Sequence, residues 1–332
     1  MFKRFLALLL PTVGVFAFSA AAPALANDDG VVRFATLPKP GPGFPEGITA
    51  DAAGGIYVAT FDFSQPNVIY IFRRNGQVDQ TISLPAGVVP LGLELGPTGN
   101  LYVANFLGGT ILEYTPPFNS GSLPARTFTV CGGVPANCGL NSMTFDSAGD
   151  LYVSDSFGGN VFKLDMPSGA QSLYLHDDLL MPGNHGFPPF GANGLAFDRS
   201  GNLYIANTAD DRILKYNPAA VPPTPKLTVF AESINGADGI AFDSKGRLWV
   251  AANQQDEVVA LNANGRVVER VGSFEGVGKD GAAKGLLFPA SIVISRGFIY
   301  VTNLALPLTG AVGDEPEEDV TTYTVSRFRL PN

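Results

Sequence analysis

Six residues at one recurring position decide what chemistry this chain can offer: Glu46, Leu91, Asn141, Asn193, Asp238 and Ala290. They sit in PEGITADAAGGIYVAT, PLGLELGPTGNLYVAN, LNSMTFDSAGDLYVSD, ANGLAFDRSGNLYIAN, ADGIAFDSKGRLWVAA and PASIVISRGFIYVTN, each just before Gly or its substitute. Glu46, Asn141, Asn193 and Asp238 carry side-chain oxygens, and two of the four are carboxylates. Hard oxygen donors with that charge and room for waters suit Ca²⁺, whereas Mg²⁺ demands a tighter octahedron. Leu91 and Ala290 cannot ligate, and would leave openings or an apolar wall. A second reading needs no metal, because Asn and Asp before Gly are common turn residues. Glu has no such preference, so Glu46 favours the metal reading.

These positions must be brought together by the elements around them. Their spacings are 45, 50, 52, 45 and 52 residues, which suits a four-stranded propeller blade rather than a helical repeat. Each unit reads as a short apolar strand (IAF, 240–242), then a D-x-x-G turn and a second strand (LYIAN, 203–207). A third strand (ILKY, 213–216) and a more variable fourth (KLTVF, 226–230) complete it. Asp146, Asp198 and Asp243 are turn residues, since a carboxylate accepts from nearby backbone N–H groups and Gly tolerates positive φ. The expected fold is all-β: a six-bladed β-propeller of four-stranded antiparallel blades. An open ring would leave exposed edges. VVRFATL (31–37) is therefore expected to join the last blade as its outer strand, next to a strand or two within TYTVSRFRL (322–330). Rotations of about 60° around such a ring carry equivalent residues to one depth on the axis.

Two insertions break the period. HDDLLMPGNHGFPPFGAN (176–193) precedes the fourth unit, and LALPLTGAVGDEPEEDVTT (304–322) interrupts the last. Both would wall one face, with DEPEED a solvated loop. The chain's two histidines, His176 and His185, lie in or beside the first insertion and are candidate general bases. Phe61, Phe106, Phe157, Phe187 and Phe190 would line a pocket above the axis or pack between adjacent blades.

The chain has 332 residues. Lys3 and Arg4, the apolar FLALLLPTVGVFAF and the small-residue Ala24-Leu25-Ala26 read as a cleaved signal peptide over 1–26, leaving one domain over 27–332. Export would place the mature protein in the periplasm or outside the cell. Cys131 and Cys138 are then expected to form a local disulfide ahead of Asn141. Net charge is −9, or −11 without Lys3 and Arg4, and no basic patch offsets it, which argues against a nucleic-acid partner. No later stretch is apolar and long enough to span a membrane.

In Phe44-Pro45-Glu46-Gly47, Ala192-Asn193-Gly194-Leu195 and Ala237-Asp238-Gly239-Ile240 the chain resembles the regucalcin/gluconolactonase (SMP-30) group of six-bladed propellers, relatives of diisopropylfluorophosphatase. The resemblance runs over nearly all of 30–330, and the generic strand pattern is also similar to NHL repeats. It implies that Glu46, Asn193 and Asp238 bind a catalytic divalent cation, with Asn141 touching metal or substrate. Pro45 stands where such proteins usually carry Gly, and Asn141 is followed by Ser142 rather than Asp-Gly. The expected function is a monomeric, calcium-dependent lactonase or esterase acting on a small lactone or ester, with Asp238 and His185 as catalytic candidates. The alternative is a non-catalytic NHL-like propeller that binds a protein, glycan or small molecule.

Overall fold

The second strand of each repeat is nearly continuous in apolar residues, the pattern of a strand covered on both faces. In the computed structural model that is its position: Ile56–Thr60, Leu101–Asn105, Leu151–Asp155, Leu203–Asn207 and Leu248–Ala252 are buried at every residue. The structure describes residues 30–131, 138–166, 168–183, 189–308 and 313–331. The expected leader over 1–26 lies outside them.

The chain enters as β1 (Val32–Thr36). Blade 1 follows as β2–β5 (Pro45–Ala50, Ile56–Thr60, Val68–Phe72, Val78–Ser83). Blade 2 is β6–β9 (Pro90–Leu95, Leu101–Asn105, Thr110–Tyr114, Arg126–Thr129). Blade 3 is β10–β13 (Leu140–Phe145, Leu151–Asp155, Asn160–Asp165, Ala170–His176). Blade 4 is β14–β17 (Ala192–Phe197, Leu203–Asn207, Arg212–Tyr216, Leu227–Glu232). Blade 5 is β18–β21 (Ala237–Phe242, Leu248–Ala252, Glu257–Leu261, Val267–Val271). A hairpin not foreseen from the sequence, β22 (Phe274–Val277) and β23 (Ala283–Gly285), comes next. Blade 6 is β24 (Pro289–Ser295), β25 (Phe298–Asn303) and β26 (Thr324–Arg329), with β1 as its outer strand. Antiparallel pairing of Val32 with Arg327 and Thr36 with Thr324 closes the ring as expected.

Each D-x-x-G Asp acts twice. One carboxylate oxygen of Asp146 accepts from the N–H groups of Ala148 and Asp150, and the other accepts from the Tyr152 hydroxyl at 3.0 Å. Asp243 repeats this with Lys245, Arg247 and the Trp249 indole. The aromatic residue at this place in the second strand packs onto the next blade, whether its hydroxyl is held by the turn Asp, as that of Tyr152 is, or by Glu113, as that of Tyr102 is. Tyr102–Phe145, Tyr152–Phe197 and Tyr204–Phe242 have ring centroids 5.4, 4.9 and 5.0 Å apart, near edge-to-face. The ring thus coheres through repeated aromatic pairs as well as through its clasp.

Among the described residues no helix is long and apolar enough to cross a membrane. Cys131 and Cys138 are joined by a disulfide. DEPEED (314–319) is exposed or half-exposed throughout, as expected, and its Pro316–Asp319 form a single 3-10 turn.

Phe34 of β1 is the hinge-pin of closure: it is buried and meets Tyr300 edge-on at 4.8 Å and Phe72 of blade 1 at 6.3 Å. Phe34→Ala should cost about 3–5 kcal/mol of stability in urea unfolding. Val32→Ala, on a side chain 51% exposed, should stay within about 0.5 kcal/mol.

Candidate metal centre

The six axial residues do not precede their strands, as the sequence suggested; each is the second residue of an innermost strand. The reason is a β-bulge repeated six times. Pairing jumps between Pro45 and Ile48, Pro90 and Leu93, Leu140 and Met143, Ala192 and Leu195, Ala237 and Ile240, and Pro289 and Ile292. In blade 1, Glu46 and Gly47 together face the single residue Ala59. A bulge bends the strand and re-aims its side chains.

The residue after each axial position lies against the next blade. A Cβ on Gly47 would stand 2.0 Å from the Leu91 carbonyl oxygen, and one on Gly194 would stand 2.2 Å from that of Asp238. Where Ser replaces Gly, the facing second-strand residue changes from Ala to a hydroxyl. Ser142 N–H donates to Ser154 Oγ (3.0 Å), and Ser291 N–H donates to Thr302 Oγ1 (2.9 Å).

Glu46, Asn141, Asn193 and Asp238 are all at most 5% exposed and line one cavity. Hydroxyl chemistry fixes how the two amides face. Ser156 Oγ spends its proton on the Ala192 carbonyl (2.8 Å), so it can only accept from Asn141 Nδ2 (3.2 Å). Thr208 Oγ1 likewise donates to the Ala237 carbonyl (2.7 Å) and accepts from Asn193 Nδ2 (2.9 Å). Each amide oxygen is thereby turned away from its hydroxyl partner. Asn253 Nδ2 donates to Asp238 Oδ2 at 3.3 Å.

Ser156, Thr208 and Asn253 form part of a second ring that the sequence reading missed. Its members follow the second strands: Phe61, Phe106, Ser156, Thr208, Asn253 and Leu304. The signal was present, in IYVAT-F, LYVAN-F, LYVSD-S, LYIAN-T, LWVAA-N and IYVTN-L. Polar members sit in blades 3, 4 and 5, where Asn141, Asn193 and Asp238 need holding. Apolar members sit in blades 1, 2 and 6.

Burial pushes Asp238 up to about 7, partly offset by the amides of Asn253 and Asn193. Burial first, and then the charge of Asp238, raise Glu46 well above the ordinary carboxylate range, against a hydrogen bond from Ser291. Glu46 Oε2, Asp238 Oδ1 and Asn253 Oδ1 are buried without a hydrogen-bond partner. Orphaned oxygens of this kind cost about 1–3 kcal/mol each, more when charged. Among the described residues no Lys, Arg or His lines the cavity. Only protons or a cation can neutralise the pair, and an all-oxygen donor set fits a hard divalent cation.

Above the ring the cavity holds about 330 Å³. Phe61, Phe106, Phe157 and Phe190 line it and also pack on one another across blades, so both expected roles are met. Ser156 is the counterpart of Phe106, and Phe157 aligns with Leu107. Both insertions supply wall. Asn207 Nδ2 anchors the first by donating to the Leu179 and Met181 carbonyls, each at 2.9 Å. In the second, Leu308 N–H donates to the Glu315 carboxylate at 2.6 Å. His176 Nδ1 pairs with Asn160 Oδ1 at the outer edge of blade 3, away from the cavity lining. His185 and Phe187 lie outside the described residues.

A second cavity of about 380 Å³ lies on the far side of the ring, lined in part by Thr49, Glu94, Ser142 and Thr144. Burial raises Glu94 there to about 8. Cys131, Cys138 and Asp155 also lie close together, but the sulfurs are bonded to each other and Asp155 accepts from the N–H groups of Gly139 and Phe157.

Fold and site define a class: six-bladed propellers with oxygen donors gathered on the axis beneath a pocket. Residues 118–273 match the family described as the SMP-30/Gluconolactonase/LRE-like region, and the chain is a propeller related to that family. Among solved structures it is similar to a luciferin-regenerating enzyme (TM-score 0.65, 15% identity, covering 90% of this chain and 94% of that one). It is similar to a putative gluconolactonase (0.64, 20%, 90% and 91%). A calcium-binding regucalcin from Agrobacterium tumefaciens strain C58 gives 0.62 and 17%, covering 89% and 93%. At such identities these likenesses are of fold. No curated protein sequence matches the chain.

The acid pair ties stability to pH. Asp238 keeps its proton to about pH 7, whereas an unfolded Asp releases it near 4. In that window the unfolded state binds fewer protons, so stability falls as pH rises; the contribution is complete below about pH 4 and lost above about 7. Glu46 and Glu94 act in the same direction. In EDTA the melting temperature should therefore drop from pH 5 to pH 8, and Asp238→Asn should flatten the drop.

Proposed function

We propose that this protein is a calcium-dependent hydrolase of the lactonase or esterase type, acting on a small lactone or ester. The observation that carries the reading is the buried set Glu46, Asn141, Asn193 and Asp238, with unpartnered carboxylate oxygens at the floor of a pocket. The match to the gluconolactonase-type family and the fold shared with a calcium-binding regucalcin support it.

Glu46, Asn141, Asn193 and Asp238 would hold the cation. Bound there, it would supply Lewis-acid polarisation of the acyl carbonyl. The protein's own groups do the rest. Ser156 and Thr208 orient the two asparagines, and Asn253 orients Asp238. Asp238 orients or deprotonates the attacking water. The phenylalanine wall lowers the polarity around the floor, which strengthens electrostatic contacts there. His185 is the second candidate base. The reading includes removal of residues 1–26 and action in the periplasm or outside the cell.

Hydrolysis of aryl esters or lactones should be lost in EDTA and restored by Ca²⁺. Asp238→Ala and Asn193→Ala should abolish it, while Asn253→Ala should cost about 10- to 100-fold in calcium affinity or activity. Normal turnover by the first two variants would refute the site. Calcium binding with no turnover of any ester or lactone would identify a binding propeller instead.

A further inference from the structure

The floor and the wall of the pocket differ in kind. The floor is the oxygen-rich ring with Asn253. Above it, every lining side chain among the described residues is apolar, including Phe61, Phe106, Phe157, Phe190, Phe288 and Leu306. The wall is built rather than incidental. Phe106 is only 4% exposed and has Phe157 and Phe190 at 5.2 and 5.5 Å, the first insertion is pinned to blade 4 by Asn207, and the second is braced internally by Leu308 and Glu315.

Resting on the hydrolase reading, we infer that the substrate is a lactone or ester carrying an apolar alkyl or aryl arm, and that polyhydroxylated sugar lactones are rejected. The acyl carbonyl lies at the floor, and the arm fills the wall. Hydrolysis adds water across the acyl C–O bond: the carbonyl carbon gains the water oxygen, and the departing oxygen takes a proton. A lactone yields a hydroxy acid, and an ester yields an acid and an alcohol. The arm is where selectivity arises. Each methylene moved from water into such a wall tightens binding about fourfold. Each hydroxyl buried there without a partner weakens it about 5- to 150-fold. A sugar lactone brings several hydroxyls, and no wall side chain among the described residues can receive them. The 330 Å³ volume is at the lower end of small-molecule sites (about 300–1,000 Å³), which limits the ligand to one small ring or a medium chain.

The test is kcat/KM, with Ca²⁺, for δ-lactones of rising alkyl length beside glucono-δ-lactone, together with calorimetric binding of the matching non-hydrolysable ketones and of gluconamide. The expected result is a rise of about three- to fourfold per methylene until the pocket is full, with the sugar lactone slower than any alkyl member. Phe63 stands 67% exposed against Phe61 at the rim, so Phe63→Ser leaves folding intact and should reduce the slope for the longest members. A flat series, or preference for the sugar lactone, overturns the inference while leaving the hydrolase reading standing. If nothing is turned over, the hydrolase reading fails and binding decides alone. Ketones that bind more tightly with chain length support the apolar site, and absent ketone binding or tighter gluconamide binding overturns it.

Discussion

The closeness of neighbouring backbones around the axis is the constraint on which everything else rests. Six innermost strands converge so tightly that, at four of the six junctions, only Gly fits beside the next blade's bulge. At the other two, Ser fits because a hydroxyl on the second strand, Ser154 or Thr302, takes the N–H that the bulge frees. A bulge in isolation is a local defect. Repeated at one register in every blade, it becomes a collar of side chains aimed at a common point.

That collar is divided. On the side of blades 3 to 5, each axial donor has a polar neighbour from the second ring that fixes its orientation. On the side of blades 6, 1 and 2, the neighbours are Leu304, Phe61 and Phe106, which belong to the apolar cluster with Leu91 and Ala290. Glu46 is the single donor on the apolar side. Its own backbone carbonyl is held by Thr302 from across the clasp at 2.8 Å. Ring closure and the position of a candidate ligand are thus mechanically one event.

The architecture was legible because its causes are local and repeated. Asp-x-x-G turns in four of the six units, a following aromatic residue and a nearly continuous apolar second strand each have one physical explanation, and repetition reinforces it. Strand placement followed: 203–207 and the closing strand emerged where they were read. The axial donors were legible because they vary against a constant background. The second ring was overlooked because its residues occur where strands end, where Ser, Thr and Asn are expected to serve turns. Their real partners, Asn141, Asn193 and Asp238, lie 15 residues away in sequence in each case. The β22–β23 hairpin escaped notice because it is short, glycine-containing and half-exposed, with no alternation to read. His185 falls in the part of the first insertion beyond the described residues, so its candidacy still rests on its residue type.

The sixfold bulge has one more consequence. It forms around Leu91 and Ala290 as fully as around Glu46 and Asp238, so the backbone sets the position and is indifferent to the side chain placed there. The place of the charge gathered on the axis is therefore set by the backbone, while its burial still weighs on stability. A lineage with this scaffold can change valence at its centre one codon at a time, passing between an empty shaft, a cation seat and a greasy plug without ever losing the wheel.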